Sequence, residues 1–430
     1  MKRYDSYKDS GVEWIGKVPS HWEVVPLKFT GKFGNGLTYS PKDVVDNGIL
    51  VLRSSNIQNS SLSFEDNVYV SSVSKELLVN KGDIIICSRN GSAALVGKSA
   101  FIDKDINATF GAFMMRYIPK IHKKYGFYLF KTAIGRYKGY FATTTINQLT
   151  KSTIGEMKVP LANTDEQSTI ANYLDKKCSE IDNVISAQQK RIALLQELKQ
   201  SVITHAVTKG LNPNVEMKDS GVEWIGNVPC HWEVVHLKRI LSGRMQYGAN
   251  EPAESDDTTY PRYIRITDIT ANGELRPETF KSMEPSKAKA YLLDKGDVLF
   301  ARSGATVGKT FLFNAEIKAC YAGYLIKASC DRRKMIPEYL YYFTQSGTYE
   351  CWKNSVFIQS TIQNIGADKY QLMYIPVPSI NEQQEIVEYV GKKSKAFDSS
   401  ISKAQHQVEL LQEYKQSLIT EVVTGKRKVC

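Results

Sequence analysis

The chain has 430 residues, with 56 Lys and Arg against 45 Asp and Glu, for a formal net charge of +11. That length implies roughly two to four domains, each able to bury a core of its own. No apolar run approaches membrane-spanning length, which excludes an integral helical membrane protein, and the dispersed basic charge suits a polyanion such as DNA. Met1–Gly11 is polar and charged, unlike a signal peptide, so a cytoplasmic chain is expected. The seven cysteines are irregularly spaced and form no CxxC or Cys/His set, which reads as reduced thiols and no metal site.

The first informative stretch is Asp9–Lys28, DSGVEWIGKVPSHWEVVPLK. It returns at Asp219–Lys238 with differences only at Lys17/Asn227, Ser20/Cys230 and Pro26/His236. A period of about 210 residues is too long for a solenoid and points to a duplicated domain pair. Within the block, Trp22, Val24 and Val25 predict a short strand that Pro26 confines to an edge or an end. Gly31, Gly34 and Gly36 predict a loop. Ile49–Ile57 predicts a strand and polar turn, and Lys81–Ser88 a turn and a buried strand. Arg89–Lys98 predicts a glycine-bounded loop, followed by strands over Ser99–Ile102 and Ala112–Ile118. Tyr125–Lys138 predicts a helix, Thr143–Asn147 a polar tip, and Met157–Leu161 a closing strand.

A different regime then begins. Thr164 and Gln167 have capping-box spacing. Ile170, Tyr173, Leu174, Cys178, Ile181, Ile185, Gln188, Ile192, Leu195, Leu198 and Val202 recur at three- and four-residue steps, and Gly210 stops the pattern. This predicts a long amphipathic helix of coiled-coil type, on the order of 60 Å at about 1.5 Å per residue. A lone rod of that length is unstable, so its stripe needs a partner. The second half replays the order. Tyr263–Ile269 corresponds to Leu50–Ile57, Lys295–Lys309 to Lys81–Lys98, and Phe357–Ile362 to the Thr143–Asn147 region. Ile375–Pro378 corresponds to Val159–Leu161. Ser379 and Glu382 open a second long helix, Asn381–Thr424, with a seam through Ile386, Val390, Phe397, Ile401, Val408, Leu411, Leu418 and Val422. It carries LLQEYKQSLITEVV against LLQELKQSVITHAV of the first.

The repeat blocks and helices match while the segments between them diverge. This doubled arrangement resembles the specificity (S) subunit of a Type I restriction–modification enzyme over nearly the whole chain. The local signatures are EWIGxVPxHWEVVxLK, KGDxxxxR followed by VGK, and a proline-ended strand leading to EQ and a long helix. The resemblance implies an α+β chain. Two mixed α/β target-recognition domains, 1–164 and 210–380, alternate with spacer helices 165–209 and 381–425, which pair as antiparallel coiled coils about an internal pseudo-two-fold. Connectivity agrees, because if the first helix leads from one domain to the other, the second must lead back. The resemblance further implies that each domain reads half of an asymmetric, bipartite double-stranded DNA site. Two modification (M) subunits dock on the equivalent halves and methylate adenine, and restriction (R) subunits join in the larger complex. The S subunit itself is non-catalytic. S-adenosylmethionine, ATP and Mg are expected on the partners, with no cofactor or metal in this chain and no membrane partner.

The chain has no Pro-Pro dipeptide to hold a flipped adenine, and no glycine-rich cofactor loop follows a strand. Gly97-Lys98-Ser99 and Gly308-Lys309-Thr310 lack the glycine spacing of a phosphate-binding loop. Arg89 and Arg302 occupy equivalent positions and could pair with guanine or clamp phosphate, with a structural ion pair as the alternative. Lys98 and Lys309 suit phosphate, and Asn90 and Ser303, which follow Arg89 and Arg302, are further candidates for DNA contact. Arg53, Ser54 and Asn56, with Arg265, Thr267 and Asp268, follow strands and carry polar tips suited to base edges. Thr143, Thr144, Asn147, Gln359, Ser360 and Thr361 are candidates of the same kind. Trp14, Trp22 and their copies read as core or subunit contacts, because halves that read different targets should differ at base contacts. Two rival functions follow from the same residues: a coiled-coil DNA-binding adaptor unconnected with restriction, and a self-sufficient methyltransferase or nuclease.

Overall fold

The computed structural model describes residues 2–141, 148–270, 273–304, 306–358 and 364–429. The chain divides into two compact units, Met1–Ala187 with Val408–Cys430, and Gln188–Gln407. The division falls inside the two long helices, Thr164–Lys209 and Ile380–Val423, so each unit contains a stretch of both.

In the first unit a four-stranded antiparallel sheet runs Ser99–Phe101, Ile84–Cys87, Met114–Pro119, Gly31–Asn35. Its central strand Ile84–Cys87 is buried along its whole length, as its unbroken β-branched run predicts. Ala108–Phe110 lies parallel to Ile49–Leu52 in a second sheet. The helix Lys123–Phe141 places Tyr125, Leu129, Phe130 and Ala133 in the core with Ile84, Ile86 and Tyr117. The same core takes Ile170, Leu174, Cys178, Ile181 and Ile185 from the first long helix and Leu418, Ile419, Val422 and Val423 from the second. The expected loop at Gly31 and Gly34 is instead the strand Gly31–Asn35, and Gly36 follows the end of that strand. A Cβ at Gly31 would lie 2.3 Å from the Tyr117 ring, and one at Gly36 would lie 2.1 Å from the Gly111 carbonyl oxygen. These glycines mark close approach of backbone, not a turn.

The second unit repeats the scheme with shorter strands. Gln246–Tyr247, Leu325–Ala328, Val298–Ala301 and Thr310–Leu312 form one antiparallel sheet, and Arg262–Ile264 runs parallel to Ala319–Tyr321. Its core holds Ile203, Ala206 and Val207 of the first long helix and Ile386 and Val390 of the second. The expected seam fails at Leu198, which is 52% exposed. Leu198 follows Leu195 by three residues, as Leu195 follows Ile192, so it falls one residue short of the seven-residue repeat, which continues through Lys199, Val202 and Ala206 on the less exposed face.

The repeat blocks fasten the divergent segments to the helices. Glu23–Pro26 pairs with Lys158–Leu161, and Glu233–His236 pairs with Tyr374–Val377 in the same register. Leu27 N–H donates to the Met157 carbonyl and Leu237 N–H to that of Met373, each at 2.8 Å. The segments 29–156 and 239–372 are thus closed by the same backbone clasp. Beside each clasp a fully buried tryptophan holds a helix start. Trp22 Nε1–H donates to Glu166 Oε2 at 2.8 Å, and His21 Nε2 lies 2.9 Å from the same oxygen. Trp232 and His231 repeat this on Glu382 at 3.0 Å each. The neighbouring amides are used alike. Gln167 accepts from His122 N–H and donates to the Ala162 carbonyl, while Gln383 accepts from Ile336 N–H and donates to the Lys334 and Pro378 carbonyls.

This corrects the capping-box reading of the first helix. Asn163, not Thr164, caps it, accepting from Glu166 N–H at 2.9 Å, and Gln167 is spent on the domain wall. Ser379 caps the second helix as expected, accepting from Glu382 N–H at 3.3 Å, but the Glu382 carboxylate turns to Trp232.

Each tryptophan also meets the far end of the other helix. Gly425 and Gly210 close the helices with φ of +72° and +76°, the left-handed conformation that favours glycine at a helix C-terminus. A Cβ on Gly425 would lie 3.1 Å from the Trp22 ring, and one on Gly210 would lie 3.3 Å from that of Trp232.

Replacing Glu166 with Ala should therefore lower unfolding stability by about 1–3 kcal/mol, because it orphans a buried indole N–H. Glu166→Gln keeps an acceptor oxygen and should lose less, and Glu382 variants should rank the same way. Chemical denaturation of the four variants would check this order; equal stabilities for Ala and Gln would contradict it.

Candidate nucleic-acid interface

In the first unit three chain reversals meet at one concave surface. The strand Ile49–Leu52 delivers Arg53 and Ser54, and Ile84–Cys87 delivers Arg89 and Asn90. The turn closed by Met114 N–H on the Gly111 carbonyl presents Phe113. Arg53, Ser54, Arg89, Asn90, Tyr39 and Phe113 line a cavity of about 940 Å³. Asn90 Nδ2–H donates to Ser54 Oγ, and Lys98 Nζ–H donates to the Ser54 carbonyl, each at 3.4 Å. Five sequence-predicted residues are thereby brought together. Lys98 also lines a neighbouring cavity of about 420 Å³ with Lys131 and Arg136. Burial, and then the nearby Lys415, hold the Lys131 amine below its ordinary pKa.

The arginines separate into two kinds. Arg53 is tied to Asp66 at 2.7 Å, and Arg265 to Asp268 at 2.8 Å. Arg53, with Ser55 behind it, holds the Asp66 carboxyl below its ordinary range, and the Asp268 carboxylate raises the Arg265 pKa. Arg89 and Arg302 have aromatic partners instead. The Arg89 guanidinium lies 5.3 Å from the Phe113 ring centre, and that of Arg302 lies 5.0 Å from that of Tyr247. Among the described residues neither has a carboxylate within ion-pair distance. In the second unit Thr267 and Lys309 are exposed, and Ser303 is bridged to Asn364 beside Arg302.

Two expectations are corrected. Asn56 and Asp268 do not present polar tips, because they are 0% and 1% exposed. Asn56 accepts from Arg53 N–H at 3.0 Å and donates to the carbonyls of Ser63 and Asp66. Asp268 accepts from Arg265 N–H at 2.7 Å and from its guanidinium. Both close the short turn that aims the preceding arginine. Thr143, Thr144, Asn147, Gln359, Ser360 and Thr361 lie outside the described residues.

The sequence reading missed Phe113, Tyr247 and Tyr324. Phe113 and Tyr324 are 59% and 66% exposed. The available signal was the aromatic in the parallel runs Gly111-Ala112-Phe113-Met114 and Ala322-Gly323-Tyr324-Leu325.

A model of the Type I restriction modification DNA specificity domain matches residues 19–194 and again 229–410. The chain belongs to this family. Each match takes in one divergent segment and most of the long helix that follows it. The Type I restriction enzyme EcoKI specificity subunit of Escherichia coli (strain K12) is 23% identical over 431 residues, covering 96% of this chain and 90% of its own. The putative type I restriction enzyme MjaX specificity subunit of Methanocaldococcus jannaschii is 25% identical over 439 residues, covering 96% of each. A solved structure from work on complex assembly and conformational transition of the type I R-M system superposes with a TM-score of 0.69. It covers 94% of this chain and 98% of its own at 14% identity, a likeness of fold.

For a member of this family the burial of Asn56 makes a simple forecast. Asn56→Ala leaves three backbone polar groups without their amide partner and should cost about 2–3 kcal/mol of stability. DNA affinity should fall only together with stability, as the loosened turn misdirects Arg53. A thermal melt read beside a binding titration distinguishes this from a base-reading role, which would lower affinity with stability intact.

Proposed function

We propose that the chain is the DNA-specificity subunit of a Type I restriction–modification system, in which each unit reads one half of a bipartite, asymmetric DNA site. The observation that carries this reading is the clasp. Two divergent segments, each carrying basic residues on loops after its strands, are held in one repeated frame, on residues that the family model matches twice. Unlike segments in like frames suit two different half-sites read in one geometry.

The long helices act as the spacer, paired antiparallel. Two ion pairs support that pairing. Lys415 Nζ lies 2.6 Å from Asp182 in the first unit, and Lys199 Nζ lies 2.6 Å from Asp398 in the second. Advancing from Asp182 to Lys199 along one helix moves the partner back by the same number of residues, from Lys415 to Asp398, which is an antiparallel register. The paired helices set the gap between half-sites, at about 34–36 Å per turn of DNA.

The same helices carry the docking places for two modification subunits. Leu194 and Leu198 of the first helix are 64% and 52% exposed, and their sequence equivalents Leu410 and Tyr414 are 49% and 50% exposed. An apolar pair four residues apart on a helix forms one contact stripe, and a stripe present twice suits two copies of one partner. The methyl donor, ATP and Mg belong to the modification and restriction subunits, and this chain contributes recognition and geometry alone.

Mapping methylated adenines in cells that carry the modification subunit, with and without this chain, tests the reading. A single bipartite motif with a fixed gap should appear only when the chain is present; methylation that ignores the chain would refute it. Removing about one turn from both long helices, in register, should shorten the gap and leave both half-sites unchanged. Leu194→Asp with Leu198→Asp should lower the modification subunits retained per chain, read by mass photometry of the purified complex.

A further inference from the structure

We propose that the turn-borne aromatics Phe113 and Tyr324, each beside an arginine, Arg89 or Arg302, are the specificity-determining contacts to base edges, one pair for each half-site. This rests on the DNA-reading function above and assigns it to particular side chains.

A single exposed aromatic is ordinary on a protein surface. These two are set apart by how they are held. Met114 N–H closes the turn Gly111–Met114 on the Gly111 carbonyl, and Leu325 N–H closes the turn Ala322–Leu325 on that of Ala322, at 2.8 Å each. The aromatic occupies the third position of both. The Phe113 carbonyl accepts from Ser88 N–H at 2.9 Å, Arg89 N–H at 3.1 Å and Ser88 Oγ–H at 3.0 Å. The Tyr324 carbonyl accepts from Arg302 N–H at 3.0 Å. The backbone of each aromatic is therefore pinned to the arginine it accompanies, while its ring stands in solvent. A pinned backbone with an unpacked ring is a contact prepared in advance, with little left to order on binding.

The arginines complete the pair. Their guanidinium groups rest on rings and are not drawn into carboxylates as Arg53 and Arg265 are. A ring face orients a guanidinium without using up its N–H donors. An arginine so held can donate two hydrogen bonds to N7 and O6 of guanine, and a neighbouring ring can cover the methyl edge of thymine. The 5.3 Å between the Arg89 guanidinium and the Phe113 ring centre is comparable to one or two base-pair steps of about 3.4 Å, so the two side chains reach neighbouring pairs. The units differ where readers of different half-sites should. Arg89 rests on the exposed Phe113 itself, whereas Arg302 rests on Tyr247, whose hydroxyl is fixed by accepting from Ala367 N–H, and Tyr324 adds a phenol oxygen.

The test uses the complex of the full chain with its modification subunits, carrying Arg89→Ala, Phe113→Ala, Arg302→Ala or Tyr324→Ala. Each is assayed for methylation of duplexes altered at one base pair at a time. The expected result is a loss of roughly tenfold to a hundredfold discrimination at one or two adjacent pairs. The loss should be confined to one half-site for Arg89 and Phe113 and to the other for Arg302 and Tyr324. Phe113→Tyr and Tyr324→Phe should keep the affected position readable. The rings are exposed, so the loss should come without unfolding, and an unchanged melting midpoint checks this. Undiminished discrimination in all four variants, or methylation lowered equally on every duplex, would overturn the assignment while the chain-dependent bipartite motif stood. Absence of any such motif with the unaltered chain would overturn the functional reading itself.

Discussion

The structure depends on two buried indole N–H groups. Trp22 and Trp232 are fully buried, and each gives its one hydrogen-bond donor to a glutamate in the first turn of a long helix. A buried indole N–H without an acceptor is costly, so the helix start has little freedom to slide. The same ring stands against the terminal glycine of the other long helix. One residue in each unit thus ties the beginning of one rod to the end of its partner. The near-identity of Asp9–Lys28 and Asp219–Lys238 follows from this mechanical role: both copies face the same Glu-Gln pair, the same closing strand and the same glycine terminus.

Frame and readout are separated by burial. The frame contacts are backbone clasps, buried indoles and side-chain amides spent on main-chain groups, none of which varies with DNA sequence. The surfaces that do differ are loops after strands, where a change of side chain leaves the core intact. Even there, part of the polar chemistry is internal. Asn56 and Asp268 close the turns that carry Arg53 and Arg265, so they shape the reading surface from beneath.

How much of this was legible in sequence follows the same division. The repeat blocks, the buried strand Ile84–Cys87 and both long helices were visible, because identity, β-branched runs and three–four spacing are one-dimensional signals. Glu382 was read only as part of a helix cap and Glu166 only within the EQ signature, since their tryptophan partners lie far away in sequence. Gly31 was mistaken for a loop residue because glycine marks both turns and close strand contacts, and only Tyr117 across the sheet decides which. Asn56 and Asp268 looked like exposed tips because a polar residue after a strand carries no mark of the turn it closes. Phe113 and Tyr324 were passed over because an aromatic beside a strand reads as core. Leu198 was placed in the seam because it is apolar, although it stands one residue short of the repeat that continues through Lys199 and Val202.

If the clasped segments carry all the sequence preference and the frame carries none, they should be interchangeable. The most direct measurement replaces 239–372 with a second copy of 29–156, joined at the matching Leu-Lys and Met positions, and maps adenine methylation by the assembled complex. The account predicts that the asymmetric motif becomes an inverted repeat of the first half-site with the gap unchanged. A motif that keeps its original second half, or a gap that changes with the exchange, would contradict it.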